Sequence, residues 1–491
     1  MSSTAYEAVI GLEVHARLRT ATKIFTSAPV AFGERPNSLV SAGDAALPGT
    51  LPVLNRHAVE LALRAGLALE CNIQRLSIFD RKNYFYPDLP SGYQISQNDF
   101  PICLGGRVQF ELDGKEVTVP LTRIHMEQDA GKSSHEGDDP YSRIDLNRAG
   151  TPLIEIVTDP ALRSPEEAAE FFKELRSILV AVGANDGNMA EGSLRCDANV
   201  SIRPKGSQTL GTRAEIKNLN SFRFLRDAIA YEIERQIDVL ENGGTLVQET
   251  RLWNVNDKKT VSMRTKEDGE DYRYMPDPDI PPLVIDDAWL TSVQQSLPEL
   301  PRAQRERLQT KHGLSAYDAN VLVDGVGYVT LFDQVIAHQA DAKLTANLIT
   351  GAVAAAINDQ KLVWKAQNKQ FVSSQGHTLE GAPLARLLKL QADDTISATA
   401  VRTLFDHMLE ENADPEELVD RLGLRQVQDA SALDAWIDAA IAQNPSAADA
   451  VRAGKNKAIG ALLGGIMRAS GGKANPAKVR QRLLERLGEE K

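Results

Sequence analysis

Four stretches of this chain place charged or polar side chains at every second position within otherwise strand-like sequence. Ile10, Leu12 and Val14 alternate with Gly11, Glu13 and His15. Arg123, His125, Glu127 and Asp129 alternate with Ile124, Met126 and Gln128. Arg195, Asp197, Asn199, Ser201 and Arg203 alternate with Cys196, Ala198, Val200 and Ile202. Arg213, Glu215 and Lys217 alternate with Ala214 and Ile216. Successive strand residues point to opposite faces, so each polar set lies on one side of a sheet. A solvated sheet face carries scattered Lys, Thr and Glu. These sets instead mix acids, a histidine and basic groups, which is what a metal–phosphate site requires.

The chain of 491 residues is too long for a single core, and two to four domains are expected. A hydrophobic share of 42% and a charged share of 25% are those of a soluble globular protein. The net charge of −12 argues against a protein that coats nucleic acid non-specifically, while leaving room for a local basic patch. Met1 to Tyr6 shows no basic run followed by an apolar one, so no signal peptide is expected. The uncharged stretch Leu344 to Asn358 is too short to span a membrane. Cys71, Cys103 and Cys196 are far apart and odd in number, which suits a reducing cytoplasm and offers no metal-binding pair.

Along the chain, Ala5 to about Asp286 is rich in Gly, Pro, Asn and Tyr, with short alternating runs separated by turn signals. This reads as a mixed domain on an antiparallel sheet. Two helices interrupt it: the Ala/Leu-rich run Arg56 to Leu69, and one opened by Ser164-Pro165-Glu166-Glu167, with a cap, a first-turn proline and two acids. The segment Met275 to Pro282 reads as a rigid exit from this domain. Beyond Leu290 the composition turns to Ala, Leu, Gln and Asp at helical spacing. A second helix start at Asp414-Pro415-Glu416-Glu417 marks a third unit. The predicted fold class is α+β, with a mostly antiparallel β domain over 1–290, an all-helical domain over 291–410 and a small helical tail over 411–491.

The acids Glu13, Asp197 and Glu215, with one imidazole (His15) and no thiolate, suit Mg²⁺ or Mn²⁺ rather than Zn²⁺. Arg195, Arg213 and Lys217 beside them suit polyphosphate oxygens. A polar strand face and a metal–nucleotide site remain about equally supported on these residues alone. Phe79 through Gln97 concentrates groups able to stack on a base or bond a ribose, Arg81 and Lys82 among them. Met263 through Tyr274 mixes both signs of charge and reads as a solvated turn. The P-loop, H-E-x-x-H, G-x-S-x-G and dinucleotide fingerprints are all absent. The last 41 residues, Val451 to Lys491, hold ten Lys or Arg against three Glu, and read as either a helical cap or a surface for RNA phosphates.

Taken in order, these runs resemble the B subunits of tRNA-dependent Asp/Glu amidotransferases (the GatB family). The blocks that carry the likeness are Gly11 to His15, Phe79 to Gln97, His125 to Glu127, Asp129 to Lys132, Asn147 to Glu155, Gly192 to Asn199, Glu215 to Ser221 and Asp271 to Tyr274. The resemblance covers nearly the whole chain. It implies a cradle-shaped, mostly β first domain, then a helical domain and a tRNA-binding tail. It implies ATP and Mg²⁺ as cofactors, and misacylated tRNA(Gln) or tRNA(Asn) as substrate. Its implied protein partners are the amidase that forms the A subunit of such enzymes and the small, strap-like C subunit. The implied reaction phosphorylates the side-chain carboxylate of Glu or Asp on the tRNA, and ammonia then displaces phosphate. No amidase Ser-Lys signature is present, which fits ammonia made elsewhere.

Carried over by position, the catalytic set is Glu13, His15, Glu127, Asp197 and Glu215. Glu13, His15, Asp197 and Glu215 match the family's metal residues. Arg81, Lys82, Arg195, Arg213 and Lys217 are the nucleotide-binding candidates, and Lys82 also matches a tunnel lysine. Lys455, Lys457, Arg468, Lys473 and Arg480 are the candidate tRNA contacts. The chain departs from the family where Gln128 replaces a second acid, which leaves Glu127 or Asp129 to supply the charge. It departs again where Ser91 replaces a lysine, and where Ser41 to Asp44 stand in place of a Cys-x-x-Cys, which argues against structural zinc. Two other readings stay open: a non-catalytic tRNA-binding scaffold, and a metal-dependent phosphohydrolase.

Overall fold

The computed structural model describes residues 5–134, 141–265, 272–365, 368–427, 429–453, 456–471 and 473–488. The chain forms two compact units, Met1–Pro301 and Arg302–Lys491. The class is α+β, as the alternating runs followed by helical spacing predict.

The first unit is built on a ten-stranded sheet. Its central strand, Tyr6–Arg17, is flanked on one side by Leu194–Pro204, then Ala214–Leu219, Glu249–Asn254 and Lys259–Thr265. On the other side follow Pro152–Thr158 and the long strand Lys115–Gln128, with short strands beyond. The pairings are antiparallel except between Ala214–Leu219 and Glu249–Asn254. That parallel pair needs a crossover, which the helix Phe222–Glu241 supplies.

Alternation decides which way the sheet faces. Ile10, Leu12 and Val14 are fully buried with Ala198, Val200, Ile154 and Ile216. They pack in one core with Ala62 of helix Arg56–Ala68, Phe171 of helix Pro165–Ala181 and Leu225 of helix Phe222–Glu241. The helix starts follow the sequence: Ser164 accepts a bond from the Glu167 amide ahead of Pro165, and Asn55 caps the earlier helix. With the helices on one face, the odd-numbered residues of the central strand are left to line the other.

Two expectations are corrected. Met275 to Pro282 belongs to the first unit rather than leading out of it. Met275–Pro276 pairs with the strand Asp80–Asn83, and Leu283–Val284 with Leu76–Ser77. An extended proline-rich segment has no helix to form, so its backbone groups find partners on strand edges. Helix Asp287–Gln295 then packs against Arg56–Ala68, and Val293 enters the first core. The second correction concerns the all-helical reading of 291–410. Leu362–Lys365, Gln370–Ser373 and Thr378–Leu379 form a three-stranded antiparallel sheet. Leu-Val-Trp and Phe-Val at these positions favour extended chain, and Gly376 at φ 86° supplies the second turn.

The second unit holds two cores. One runs from Leu308 to Val419 and includes Leu384, Leu387 and Leu388 at the predicted spacing. The helix opened by Asp414 and Pro415 packs Leu418 and Val419 into it. The other core, Leu433 to Leu487, is made by four helices, Ala430–Gln443, Pro445–Arg452, Ile459–Ala469 and Pro476–Gly488. No described helix is long and apolar enough to cross a membrane.

The loop after the central strand is fixed by a buried ion pair. Lys23 Nζ lies 3.2 Å from Asp44 Oδ2, and both side chains are at most 1% exposed. Asp44 also accepts hydrogen bonds from Thr26 Oγ1 and from the Ser41 amide and hydroxyl. This pairing fastens the Ser41 to Asp44 stretch by charge. We predict that Asp44→Ala, which strands the Lys23 ammonium, destabilises the first unit by roughly 3–5 kcal/mol. Urea unfolding should show this loss, and Lys23→Met combined with Asp44→Leu should recover most of it.

Candidate metal and nucleotide site

Five adjacent strands each contribute a carboxylate to the open face of the sheet. In spatial order these are Glu215, Asp197, Glu13, Glu155 and Glu127. Register brings them level: Glu13 stands opposite Asp197, His15 opposite Glu155, and Glu155 opposite His125. Residues opposite one another on the same face have side chains in reach.

Three of these side chains converge. His15 Nε2 lies 3.3 Å from Glu155 Oε2 and 3.6 Å from Glu127 Oε1. Donor atoms of His15, Glu127 and Glu155 all fall within 4.8 Å of one another. His125 Nε2 approaches the same two acids, at 3.4 Å from Glu155 and 3.7 Å from Glu127. Burial disfavours a charge on His15, but the Glu155 hydrogen bond and the charges of Glu155, Glu127 and Asp197 override it and push the imidazole up to about 9. Burial would likewise raise Glu155, yet His125, His15 and Lys82 hold it well below the ordinary carboxylate range.

Across the central strand the arrangement differs. Burial, then the charge of Glu155, raises the Glu13 carboxyl, against a 2.9 Å hydrogen bond donated by the Asn199 amide. Asp197 and Glu215 share one cation, the Lys217 ammonium, at 2.8 Å from each. Thr250 Oγ1 donates to Glu215 Oε2 at 3.0 Å. The metal set expected from sequence is therefore spread along the sheet, with His15 in the tight triad, Glu13 beside it, and Asp197 and Glu215 gathered around Lys217.

The donor set fits a hard divalent ion. Carboxylate oxygens and imidazole converge without thiolate, and the nearest cysteine, Cys196, is buried on the opposite face. His15, Glu127 and Glu155 would hold such an ion, with Glu13 next in line. A cleft of about 420 Å³ opens beside Glu13, lined by Gly11, Asn199, Ser201, Leu210, Arg213 and Gln248 among others. Arg213 is thus placed to meet an anion next to the carboxylates.

The other predicted cations fall in different settings. Arg81 is taken up by Asp277 at 2.9 Å and Asp279 at 2.8 Å, and its guanidinium stacks 4.3 Å over Tyr93. These contacts pin the Met275–Pro276 segment, so the geometry gives Arg81 a structural task. Arg195 bonds Asp129 at 3.2 Å, with Arg148 on the same carboxylate at 3.5 Å. Of the two acids expected to make up for Gln128, Glu127 lies in the triad and Asp129 is engaged by these arginines. Gln128 and Ser91 line a second cleft, with Asp44 and Tyr93. Lys82 points its ammonium 4.6 Å over the Tyr272 ring, near enough to Glu155 to lower its carboxyl.

Several site residues escaped the sequence reading. Glu155 is a lone acid in the apolar run Pro152–Thr158, a signal that was available. His125 alternates with Glu127 and was equally visible. Tyr272 and Tyr274 belong to the run read as a solvated turn, whose residues 266–271 lie outside the described structure. Tyr84, Tyr272 and Tyr274 make successive edge contacts at 6.1 and 6.2 Å. Burial and the nearby Glu127 and Glu155 push the Tyr274 phenol up to about 12.

In the tail, Lys457, Arg468, Lys473 and Arg480 are exposed, while Lys455 lies outside the described residues. Arg482 and Arg486 instead pair with Asp434 and Asp438, holding two helices together.

Family comparisons agree with this layout. Residues 8–291 match the family model of the GatB/GatE catalytic domain, and residues 330–487 match that of the GatB domain. The chain belongs to the GatB family of amidotransferase subunits. A relative from Polynucleobacter asymbioticus is 49% identical over 98% of this chain and 100% of its own length. Relatives from Herminiimonas arsenicoxydans and Burkholderia ambifaria are 50% and 48% identical, over 98% and 99% of this chain and 99% and 100% of their own lengths. All three are named as the B subunit of an aspartyl/glutamyl-tRNA(Asn/Gln) amidotransferase. The carboxylate face falls within the first matched segment, and the tail up to residue 487 within the second.

If the triad holds the ion, Glu155→Gln should weaken Mn²⁺ binding by at least roughly tenfold, the scale seen when even outer partners of a metal site are lost. Electron paramagnetic resonance of free Mn²⁺ checks this, with Glu60→Gln on helix Arg56–Ala68 as an unaffected control.

Proposed function

We propose that this chain activates the side-chain carboxylate of Glu on tRNA(Gln), of Asp on tRNA(Asn), or of both, by ATP-dependent phosphorylation, and then passes it to ammonia. One observation carries the reading: five adjacent strands set carboxylates and two histidines on one face, beside a cleft that Arg213 lines. The names of the relatives support the tRNA substrates and a role within an assembly of several subunits. The amidase partner supplies the ammonia and a small third chain, the C subunit, completes the assembly, which works in cytoplasmic translation.

The chemistry follows from the poor electrophilicity of a carboxylate. A carboxylate oxygen attacks the γ-phosphorus of ATP, ADP departs, and an acyl phosphate results. Ammonia then attacks the acyl carbon, phosphate leaves, and the amide remains. Neither step needs a protein nucleophile. Phosphoryl transfer asks chiefly for positioned opposite charge around the phosphates. When bound, Mg²⁺ supplies charge neutralisation on the phosphate oxygens, with His15, Glu127 and Glu155 as its holders and Glu13 beside them. Arg213 meets anionic oxygens at the cleft, and Lys217 balances Asp197 and Glu215 on the same face. Glu13, with a raised carboxyl and an Asn199 hydrogen bond, orients groups at the border between cleft and triad. Tyr84, Tyr272 and Tyr274 with Lys82 exclude bulk water on the other side, where ammonia would arrive.

The tail takes the tRNA through phosphate contacts from Lys457, Arg468, Lys473 and Arg480, with Lys455 as a further candidate. Such contacts depend on local charge, so the chain's net negative charge does not oppose them.

The test is amide formation on Glu-tRNA(Gln) and Asp-tRNA(Asn) by this chain together with its amidase and small partners, given Mg-ATP and ammonium chloride in place of glutamine. Glu13→Gln should abolish the product while tRNA affinity stays within about threefold, since an acid on the sheet face makes no phosphate contact of its own. Equal loss of both would show that Glu13 holds the fold instead. Deleting residues 451–491 should weaken tRNA binding and flatten its salt dependence by about one unit of slope per lost phosphate contact. Unchanged binding at every salt concentration would remove the tail from the interface.

A further inference from the structure

The reaction proposed above brings a carboxylate to a face that already carries acids on five adjacent strands. Like charges repel, so the substrate needs a cation held where it arrives. Level with His15 the face offers one. Arg195 stands directly opposite His15 on the neighbouring strand Leu194–Pro204. Its Nη2 bonds both oxygens of Asp129, at 3.2 and 3.3 Å, just past the end of the strand Lys115–Gln128. The central strand and Pro152–Thr158 lie between those two strands, so the arginine side chain spans the end of the carboxylate face.

A second arginine reaches the same acid. Arg148 Nε lies 3.5 Å from Asp129 Oδ2 and donates to the Ala130 carbonyl at 2.9 Å, and its Nη2 donates to the Gly131 carbonyl at 2.5 Å. Two guanidiniums on one carboxylate leave one positive charge in excess. Asp129 is buried, whereas the Arg148 and Arg195 side chains are 40% and 34% exposed. Among the described residues Arg195 Nε and Nη1 and Arg148 Nη1 donate to no protein group, so donors remain for an incoming anion. Tied to Asp129 and to two carbonyls, the forks are in place before that anion arrives.

The strand pair also gives a direction of approach. Gly11 and Asn199 stand opposite one another and line the cleft, Glu13 and Asp197 come next, and His15 and Arg195 follow. Arg195 is thus four residues, or about 13 Å, along the ladder from the cleft residue Asn199. Phosphoryl transfer runs in line, so the attacking oxygen enters opposite the departing ADP. With the nucleotide in the cleft, that side is the one where Arg195 and Arg148 stand.

We propose that Arg148 and Arg195 clamp the side-chain carboxylate of the aminoacyl group and tell substrate from product by its charge. This rests on the reaction proposed above and adds its specificity. A Glu or Asp side chain brings the anion that the remaining donors take. The amide product brings none, so the pair that holds substrate lets product go.

The experiment measures the affinity of this chain, assembled with its amidase and small partners, for Glu-tRNA(Gln) against Gln-tRNA(Gln), and for Asp-tRNA(Asn) against Asn-tRNA(Asn). Filter binding with Mg²⁺ and without ATP gives the ratio within each pair. Both members of a pair share the polynucleotide, the ester and the α-amino group, so the ratio reports the side-chain carboxylate alone. In the pair that the assembly amidates, wild type should bind the acid form at least roughly tenfold tighter, the scale of hydrogen bonds to a charged group. Arg195→Gln and Arg148→Gln should each bring that ratio to within about threefold, with affinity for the amide form held. A purely structural role would weaken both forms together and leave the ratio, which would overturn the clamp. Circular dichroism melting checks each fold, and a variant that fails is replaced by lysine at the same position, which keeps the charge, loses the fork and should also lower the ratio. A wild-type ratio near one would overturn the clamp too. Neither result touches the proposed reaction, which amide formation by wild type tests on its own.

Discussion

Negative charge crowded onto one face of the central sheet is the constraint to which the rest of the first unit answers. Glu127, Glu155, Glu13, Asp197 and Glu215 stand on five neighbouring strands, at spacings where ionised carboxylates repel and burial makes each charge costlier. The surrounding groups offset that cost locally. His15 and His125 lie against Glu127 and Glu155, Asn199 donates to Glu13, and Lys217 bridges Asp197 and Glu215. This balance leaves the triad able to exchange its imidazole proton for a metal ion, because a ligating histidine must be neutral.

The sheet can bear such a face because its other side is so thoroughly buried. Ile10, Leu12 and Val14 pack with Phe171, Phe172 and Leu225 in a single core. A register slip by one residue would send every acid inward and every apolar side chain outward, so the apolar core fixes the register and the register fixes the site. Burial supplies the driving force, and the charged face is carried by it. The flanking segments add local fastenings: the Lys23–Asp44 pair holds one loop, and the Arg81–Asp277 pair, with Tyr93 beneath, secures the chain that brings Tyr272 and Tyr274 toward Glu127 and Glu155.

Much of this was legible in order along the chain. Period-two alternation exposed Glu13, His15, Asp197 and Glu215 as residues sharing faces, and Ser164-Pro165 marked a helix at its first residue. What alternation could not show was partnership. Glu155 looked like one polar interruption of an apolar strand until pairing with the central strand set it against His15. Arg81 and Lys82 are sequence neighbours of similar charge, yet they point to opposite sides of a strand, and one is spent on Asp277 while the other reaches the site. The short sheet within 362–379 escaped because its strands are brief and surrounded by helical spacing.

By itself, then, the sequence determined the α+β class, the two-sided character of the central strands, the family blocks and the pool of acids and bases from which a site could be drawn. Those properties depend on local periodicity and on residue chemistry, which are written in adjacent positions. Only the tertiary structure decided that His15, Glu127 and Glu155 close on one point while Asp197 and Glu215 close on Lys217. These groups lie up to about 140 residues apart within the first set, and in the second Asp197 stands on a different strand from Glu215 and Lys217. Strand order and register, set by burying the opposite face, bring them together.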